Sequence, residues 1–508
     1  MLDKLTRTVR LHPSDNVIVC VDMIGAGVTV EHVTATERIM RGHKMATVAI
    51  AKGEPVRKFG QIIGFASQDI PAGAHVHVHN CTMGEFERDY AFAQSNSWTP
   101  PTLDGLPLTF DGYRRAGGKV GTRNYVAILS SVNCSASVSH FVAKAINDSG
   151  ILDDYPNIDG IAAFTHGTGC GMADDGEGYE LLQRSIWGHA ANPNIGAAVM
   201  IGLGCEVFQI PRLMETYGLK GDSSRFRTMT IQGTGGTRKT VERAVDNIKE
   251  MLPELNAARR ETAPVSELML ALQCGGSDGY SGITANPALG FAADILVQAG
   301  GTAVLSETPE IYGAEHLLTR RAKDLPVGEK LVELIHWWED YTARVGGNMN
   351  NNPSPGNKLG GLTTILEKSL GAAAKGGTSP LAGVFRYGEP IEAKGFVFMD
   401  SPGYDPCAVT GQVASGANLI AFTTGRGSAF GYKPVPSIKL ATNNELYRNM
   451  TEDMDINCGD ILDGVSLEEK GREIYRLLVE TASGKRSKSE ELGYGEHEFV
   501  PWQIGAVM

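Results

Sequence analysis

The sequence predicts an α/β protein in which a small all-β module precedes domains built on parallel sheets. From Gly112 onward, apolar runs of strand length alternate with stretches of helical periodicity, the pattern that parallel sheets with crossover helices produce. Residues 8–80 hold only short apolar runs, separated by turn pairs such as Lys52-Gly53 and Ala72-Gly73. The 62 glycines gather at the ends of the apolar runs, where backbone must approach a ligand closely.

The composition narrows the function classes. At 508 residues the chain exceeds one ordinary core. A hydrophobic content of 42% and a charged content of 20% are those of a globular protein. No apolar run is long enough for a membrane span, and MLDKLTRTVR lacks the apolar core of a signal peptide, so a cytoplasmic location is expected. A net charge of -12, with no dense Lys/Arg stripe, argues against a nucleic-acid surface. The eight cysteines show no CxxC spacing and disfavour a disulfide framework.

In the N-terminal module the expected strands are Val17 to Val21, Met45 to Ile50, Gln61 to Phe65 and His75 to His79. Alternation along the last places His75, His77 and His79 on one face, suited to a ligand or metal contact, and Val76 and Val78 on the other. A solvated polar face of a half-buried sheet would give the same pattern. His43 and Lys44 after Gly42 add cationic donors on a turn. Cys81 to Phe110 lacks periodicity, contains Pro100, Pro101 and Pro107, and reads as an extended linker.

The first α/β series runs Tyr125 to Leu129, Val138 to Ile146, Ile158 to Phe164, Ala197 to Ile201, Phe208 to Tyr217, Thr228 to Ile231 and Lys239 to Met251. After a charged, proline-containing break at Arg259 to Pro264, it resumes with Leu268 to Leu272, Ala288 to Ala299, Thr302 to Leu305 and Glu315 to Ala322. Gly395 to Met399, Leu419 to Phe422, Ser437 to Leu440 and Glu445 to Met450 complete it. Ligands of open α/β sheets bind outside the carboxyl ends of strands. Those ends bring Asn133 with Cys134, His166 with Cys170, Cys205 with Glu206, Cys274 with Asp278, Glu307 with Glu310, and Arg426. Four of the eight cysteines fall at such exits.

Thiolates mixed with imidazole and carboxylate suit a transition metal with positions left for substrate oxygens. Arg123, Arg426 and Lys358 are donors for a substrate carboxylate. A metal chelating a carboxylate and hydroxyl stabilises an enediolate, so the inventory favours elimination from a hydroxy acid. TGGTRK at 234 lacks P-loop spacing, and GLG at 202 is only a fragment of a dinucleotide motif. Trp337-Trp338 reads as packing or an oligomer contact, and Asn351 to Gly361 as a polar loop able to close over an anion.

RGHKMA at 41, GQIIGFA at 60, VHVHN at 76, GTRN at 121, GLGCE at 202, CGGSDGYSGITANP at 274, ETPEIYGAE at 307, NPSPGNKLGG at 352 and TTGRG at 423 together resemble the altronate/galactarate dehydratase family of sugar-acid dehydratases. The resemblance implies a β-clip (SAF) domain at 1–84, a linker at 85–112, a middle α/β domain at 113–258 that supports a homodimer, and a Rossmann-like domain at 259–508. It further implies loss of water from a dihydroxy acid to give a 2-keto-3-deoxy acid, with Fe2+, or Mn2+ or another divalent ion, as activating metal. VHVHN and PEIYGAE look like the altronate branch; Tyr155-Pro156-Asn157 and VSELMLALQCGGSD look like the galactarate branch. Carried onto this chain, His77 and His79 with Cys134, Cys170, Cys205 and Cys274 are the candidate metal ligands. His43, Lys44, His166 and Glu307 are candidate acids or bases. Arg123, Asn124, Ser277, Asp278, Asn286, Lys358 and Arg426 are candidates to hold substrate. Two rivals remain at this stage: an aconitase-like enzyme with a [4Fe-4S] cluster on three strand-exit cysteines, and a non-catalytic sugar-acid binding protein.

Overall fold

The computed structural model describes residues 6–95 and 97–507. Residues 1–5 of the expected first domain, Asn96 of the expected linker and Met508 lie outside the described residues.

The N-terminal module is built of short antiparallel strands. One sheet orders Thr8–Val9, Val17–Cys20, Lys44–Ala46 and His75–Val76; a second orders Pro55–Lys58, Gln61–Ala66 and Cys81–Thr82. The module closes only a small core of its own, around Ile18, Ile24, Ile39 and Met45. Val17, Val56, Ile63 and Val76 are accordingly covered by Leu370 and Ala373 of the C-terminal domain. The expected strand His75 to His79 ends at Val76. The Asn80 side chain accepts from the His77 amide at 2.9 Å and donates to the His75 carbonyl at 2.8 Å, curling the chain into a turn. Val78, expected on the buried face, is 44% exposed.

Past an irregular stretch, Thr109–Arg114 pairs antiparallel with Arg260–Pro264, from Thr109 opposite Pro264 to Tyr113 opposite Arg260. The expected break at 259 to 264 is therefore a strand. Between these two strands lies the middle domain, a four-stranded parallel sheet ordered Gly160–Phe164, Tyr125–Ser130, Ile195–Gly202, Phe226–Thr230. Helices Asn133–Asn147 and Thr237–Ala257 pack on one face and Gly176–Ala190 on the other.

The C-terminal sheet has seven parallel strands in the order Leu381–Phe385, Gly395–Met399, Thr302–Leu305, Met269–Cys274, Leu419–Thr424, Ser437–Ala441, Ile456–Asn457. Met269–Cys274 comes first in sequence and lies centrally. Connections leave it in both directions, so its carboxyl end is a topological switch point, where open α/β sheets form a crevice. Leu270 and Leu272 of this strand are fully buried, as double-faced parallel strands require. Helix Ala285–Gln298 follows it and packs on Leu467–Ala482 so closely that a Cβ on Gly471 would lie 2.7 Å from the Phe291 ring.

Candidate active site

The switch-point crevice is roofed by the N-terminal module. The Gly279 amide donates to Gly360 O at 2.8 Å, and the Tyr280 hydroxyl reaches the carbonyls of Cys20 and Val21, both at 3.0 Å. Below the contact, Glu367 takes Lys44 and Lys58, each at 2.9 Å, in full burial. Burial alone would raise the Glu367 carboxyl, yet the two ammoniums hold it well below the usual range. Lys58 is the weaker partner, its pKa lowered by burial and by Lys44 against the pull of Glu367. Removing one partner from such a buried set costs about 3–5 kcal/mol. Lys44, expected as a catalytic group, is thus a structural ammonium with no exposure.

Between the module and the domain lies a cavity of about 540 Å³ whose walls include Arg41, His43, Asp278, Tyr280, Arg426 and Glu445. His43 groups there with His75 and His77, their ligand atoms all within 4.8 Å of one another. His43 Nδ1 lies 3.0 Å from His75 Nε2, and His43 Nε2 faces the Leu359 carbonyl at 3.2 Å, so His43 Nε2 carries the hydrogen and its Nδ1 is an unprotonated nitrogen turned toward His75. Burial lowers all three imidazole pKa values, to about 4 at His75 and about 3 at His77, helped by neighbouring imidazoles and Lys44. All three are neutral at pH 7, the form that binds metals. His77 Nδ1 is buried without a hydrogen-bond partner among the described residues, which fits a metal-ligand atom. His79 is exposed and only stands beside His75, ring centroids 5.4 Å apart. The histidine set is therefore His43, His75 and His77 rather than His77 and His79.

A second cluster lies beneath, at the end of the central strand. Cys274 Sγ is 2.8 Å from Lys375 Nζ and 3.7 Å from Glu310 Oε2, and it groups with Glu307 and Glu310 at metal-ligand spacing. Glu310 is paired with Lys368 and accepts from Asn352 at 2.7 Å. Glu307 is wholly buried, neither carboxylate oxygen has a hydrogen-bond partner, and its backbone takes the left-handed φ of 72°. Burial and the nearby Glu310 charge push its carboxyl well above the usual range, against the Lys375 ammonium 3.8 Å away. Burial raises the Cys274 thiol to about 11 despite Lys375. A dication would meet the ammoniums of Lys368 and Lys375 already on two of these donors, whereas the imidazoles are neutral and one of them, His43, lines the cavity. The donor chemistry favours the histidines.

Segment 352–361 joins the two clusters. Asn352 binds Glu310, Asn357 donates to Ser277 O at 2.9 Å, and Leu359 O faces His43. Lys358 is half-buried on the short helix Pro355–Leu359. Asp278 is buried; it accepts from Ser281, Thr442 and Asn443 and anchors the wall of the cavity. Asn286 accepts from Thr423 at 2.6 Å and donates to Gly371 O, and is occupied. Arg426 is exposed and has no side-chain partner among the described residues, whereas Arg41 pairs with Glu445 at 3.1 Å.

The remaining expected residues belong to the middle domain. The buried Arg123 guanidinium is spent on Glu490 at 2.6 Å and on the carbonyls of Thr122, Thr481 and Lys485, so it cannot meet a substrate. Asn124 donates to the carbonyls of Asn157 and Leu255. His166 is buried, faces Ser130 O at 2.9 Å, and has its pKa lowered by burial to about 4. Cys134, Cys170 and Cys205 are exposed at the ends of the other sheet and do not join Cys274 in one shell. Arg41 was missed, although it lies inside RGHKMA, and His75 was placed on the metal-binding face of AHVHVHN without being carried into the ligand set.

Three family models match the chain: the altronate/galactarate dehydratase SAF domain over residues 6–84, the D-galactarate dehydratase/altronate hydrolase second domain over 112–256, and the D-galactarate/altronate dehydratase C-terminal domain over 265–507. The chain is 35% identical to an altronate dehydratase of Bacillus subtilis over 96% of its own length and 97% of the relative's. An Escherichia coli altronate dehydratase is 36% identical over 96% of this chain and 97% of its own. An E. coli galactarate dehydratase (L-threo-forming) is 37% identical over 94% and 93%. With matches spanning all three parts of the fold, the chain belongs to the altronate/galactarate dehydratase family.

Proposed function

We propose that this chain dehydrates a sugar acid in the cavity between the N-terminal module and the C-terminal domain. The proton beside the carboxylate is removed and the β-hydroxyl departs as water; tautomerisation gives a 2-keto-3-deoxy acid. The observation that carries this reading is the placing of two guanidiniums, Arg41 and Arg426, in one cavity with His43, the open member of a neutral three-imidazole set. Arg426 is paired with no carboxylate among the described residues and takes the substrate carboxylate. Asp278, fixed by its hydroxyl and amide donors, keeps the glycine-rich wall in place. His43, His75 and His77 would hold the metal, for which imidazole suits iron among other divalent ions, and Fe2+ is the ion we expect. Bound there, it supplies Lewis-acid stabilisation of the charge that develops on the carboxylate.

The test is a screen of aldonic and aldaric acids, altronate and galactarate included, with ferrous iron and reductant, reading 2-keto acid. Turnover of at least one acid is expected, and His77→Ala should lose both turnover and one equivalent of bound metal while keeping its circular dichroism. Stabilisation by the acids with no keto product across the panel would reduce the chain to a binding protein. Metal retained in His77→Ala but lost in Cys274→Ser would move the centre to the buried cluster.

A further inference from the structure

The middle domain has its own switch point. Its sheet runs second, first, third, fourth strand in sequence order, so the crevice opens between the carboxyl ends of Tyr125–Ser130 and Ile195–Gly202. Cys134 follows the first of these strands, Cys205 the second, and Cys170 follows the adjacent Gly160–Phe164. These are the three exposed cysteines of the chain; the other five are buried. Cysteine is among the most buried residue types, and an exposed thiol is a chemical liability. Three of them on one sheet edge need a reason.

The loops that carry them are joined. The Asn133 amide donates to Thr168 O at 2.9 Å and the Phe208 amide to Gly169 O at 3.0 Å. Gly169, at φ 96°, lies so close to the first loop that a Cβ would stand 2.2 Å from Ser131 O. Cys134 sits in the first turn of helix Asn133–Asn147, whose N-cap Val132 offers no side-chain acceptor. Two polar neighbours are committed elsewhere, since Glu206 accepts from Ser131 and from the Leu203 and Gly204 amides and His166 faces Ser130 O, while the Gln232 amide donates to Cys205 Sγ at 3.5 Å. The three sulfurs are not all within 4.8 Å of one another, which is too open for a single ion held by all three.

We infer that Cys134, Cys170 and Cys205 are the ligands of an iron–sulfur cluster of the [4Fe-4S] type, with its fourth iron left to an oxygen ligand. Three soft sulfur donors on hydrogen-bonded loops of one sheet edge, spaced too widely for one ion, suit such a cluster, and neither Glu206 nor His166 is free to fill its last corner. This site is separate from the histidine set and stands or falls without it.

The experiment is anaerobic purification, or reconstitution with ferrous iron and sulfide, followed by iron and acid-labile sulfide assay and visible and EPR spectra. About four irons and four sulfides per chain beyond any histidine-bound ion are expected. They should disappear in Cys134→Ser, Cys170→Ser and Cys205→Ser and persist in Cys407→Ser and His77→Ala. Wild-type protein gives a second readout that needs no variant: three thiols should resist alkylation in the loaded protein and react after the cluster is removed. Iron without labile sulfide, zinc in its place, or three thiols alkylated equally in loaded and stripped protein would overturn the assignment.

Discussion

Two arginines of different origin face the same cavity, Arg41 from the N-terminal module and Arg426 from the loop after Leu419–Thr424. They are not equivalent, because Glu445 already neutralises Arg41. A charge-assisted pair is worth about 1.5–3 kcal/mol, so Arg426→Met should lower kcat/KM by roughly 10- to 100-fold, chiefly through KM. Steady-state kinetics on the acid found in the screen checks this; an unchanged KM would remove Arg426 from substrate binding. Arg426, Asp278 and His43 were legible in the sequence because a strand exit or a glycine turn marks each. Arg123 misled for a physical reason. A guanidinium beside glycine reads as a ligand donor, and nothing in the chain shows that Glu490, hundreds of positions away, consumes it. The histidine set was half legible: three imidazoles in five residues were visible, but Asn80 breaks the strand and exchanges His79 for His75 and His43.

At the scale of elements, the site depends on how closely three glycine turns meet. A Cβ on Gly361, which adopts φ 104°, would stand 2.2 Å from Gly42 O, and one on Gly279 would stand 2.0 Å from the same atom. Gly361→Ala should therefore push the N-terminal module off its seat and open the cavity while both parallel sheets survive. Loss of most activity and of histidine-bound metal, with helical circular dichroism retained, is the expected outcome; unaltered activity would show that the seam tolerates displacement. The parallel strands themselves were readable, since Thr302–Leu305 and Gly395–Met399 are continuous apolar runs. Helices Gly176–Ala190 and Leu467–Ala482 were not read, because charged residues on their outer faces dilute the apolar stripe. Leu381–Phe385 escaped as an edge strand with a glycine at its centre.

Across the whole molecule, the middle and C-terminal domains are joined through buried polar contacts. His189 Nδ1 donates to Ser185 O at 2.7 Å, and Nε2 lies 2.7 Å from the Tyr432 hydroxyl of the other domain, which itself donates to Thr410 Oγ1 at 3.1 Å. Burial lowers its pKa from 6.5 to about 4. The unfolded chain thus binds a proton that the folded one refuses. Stability is fully present above about pH 6.5 and falls as the pH drops toward about 4, by about 1.4 kcal/mol per unit for this group. Urea midpoints at pH 7.5, 6 and 5 should fall in wild type and fall less steeply in His189→Gln; equal slopes would mean that His189 is charged in the folded state. The tryptophans serve the same junction: Trp338 stacks on Trp502 at 5.2 Å and packs with Leu181 of the middle domain, a contact within one chain.

The paired strands Thr109–Arg114 and Arg260–Pro264 bear on how these domains move. A body tethered by a single strand is free to swivel about it. Here the outgoing and returning chains lie side by side, hydrogen bonded from Thr109 to Tyr113. Such a double tether resists torsion and leaves one bending axis, across the ribbon, so that any excursion of the middle domain is the swing of a door rather than the turn of a ball.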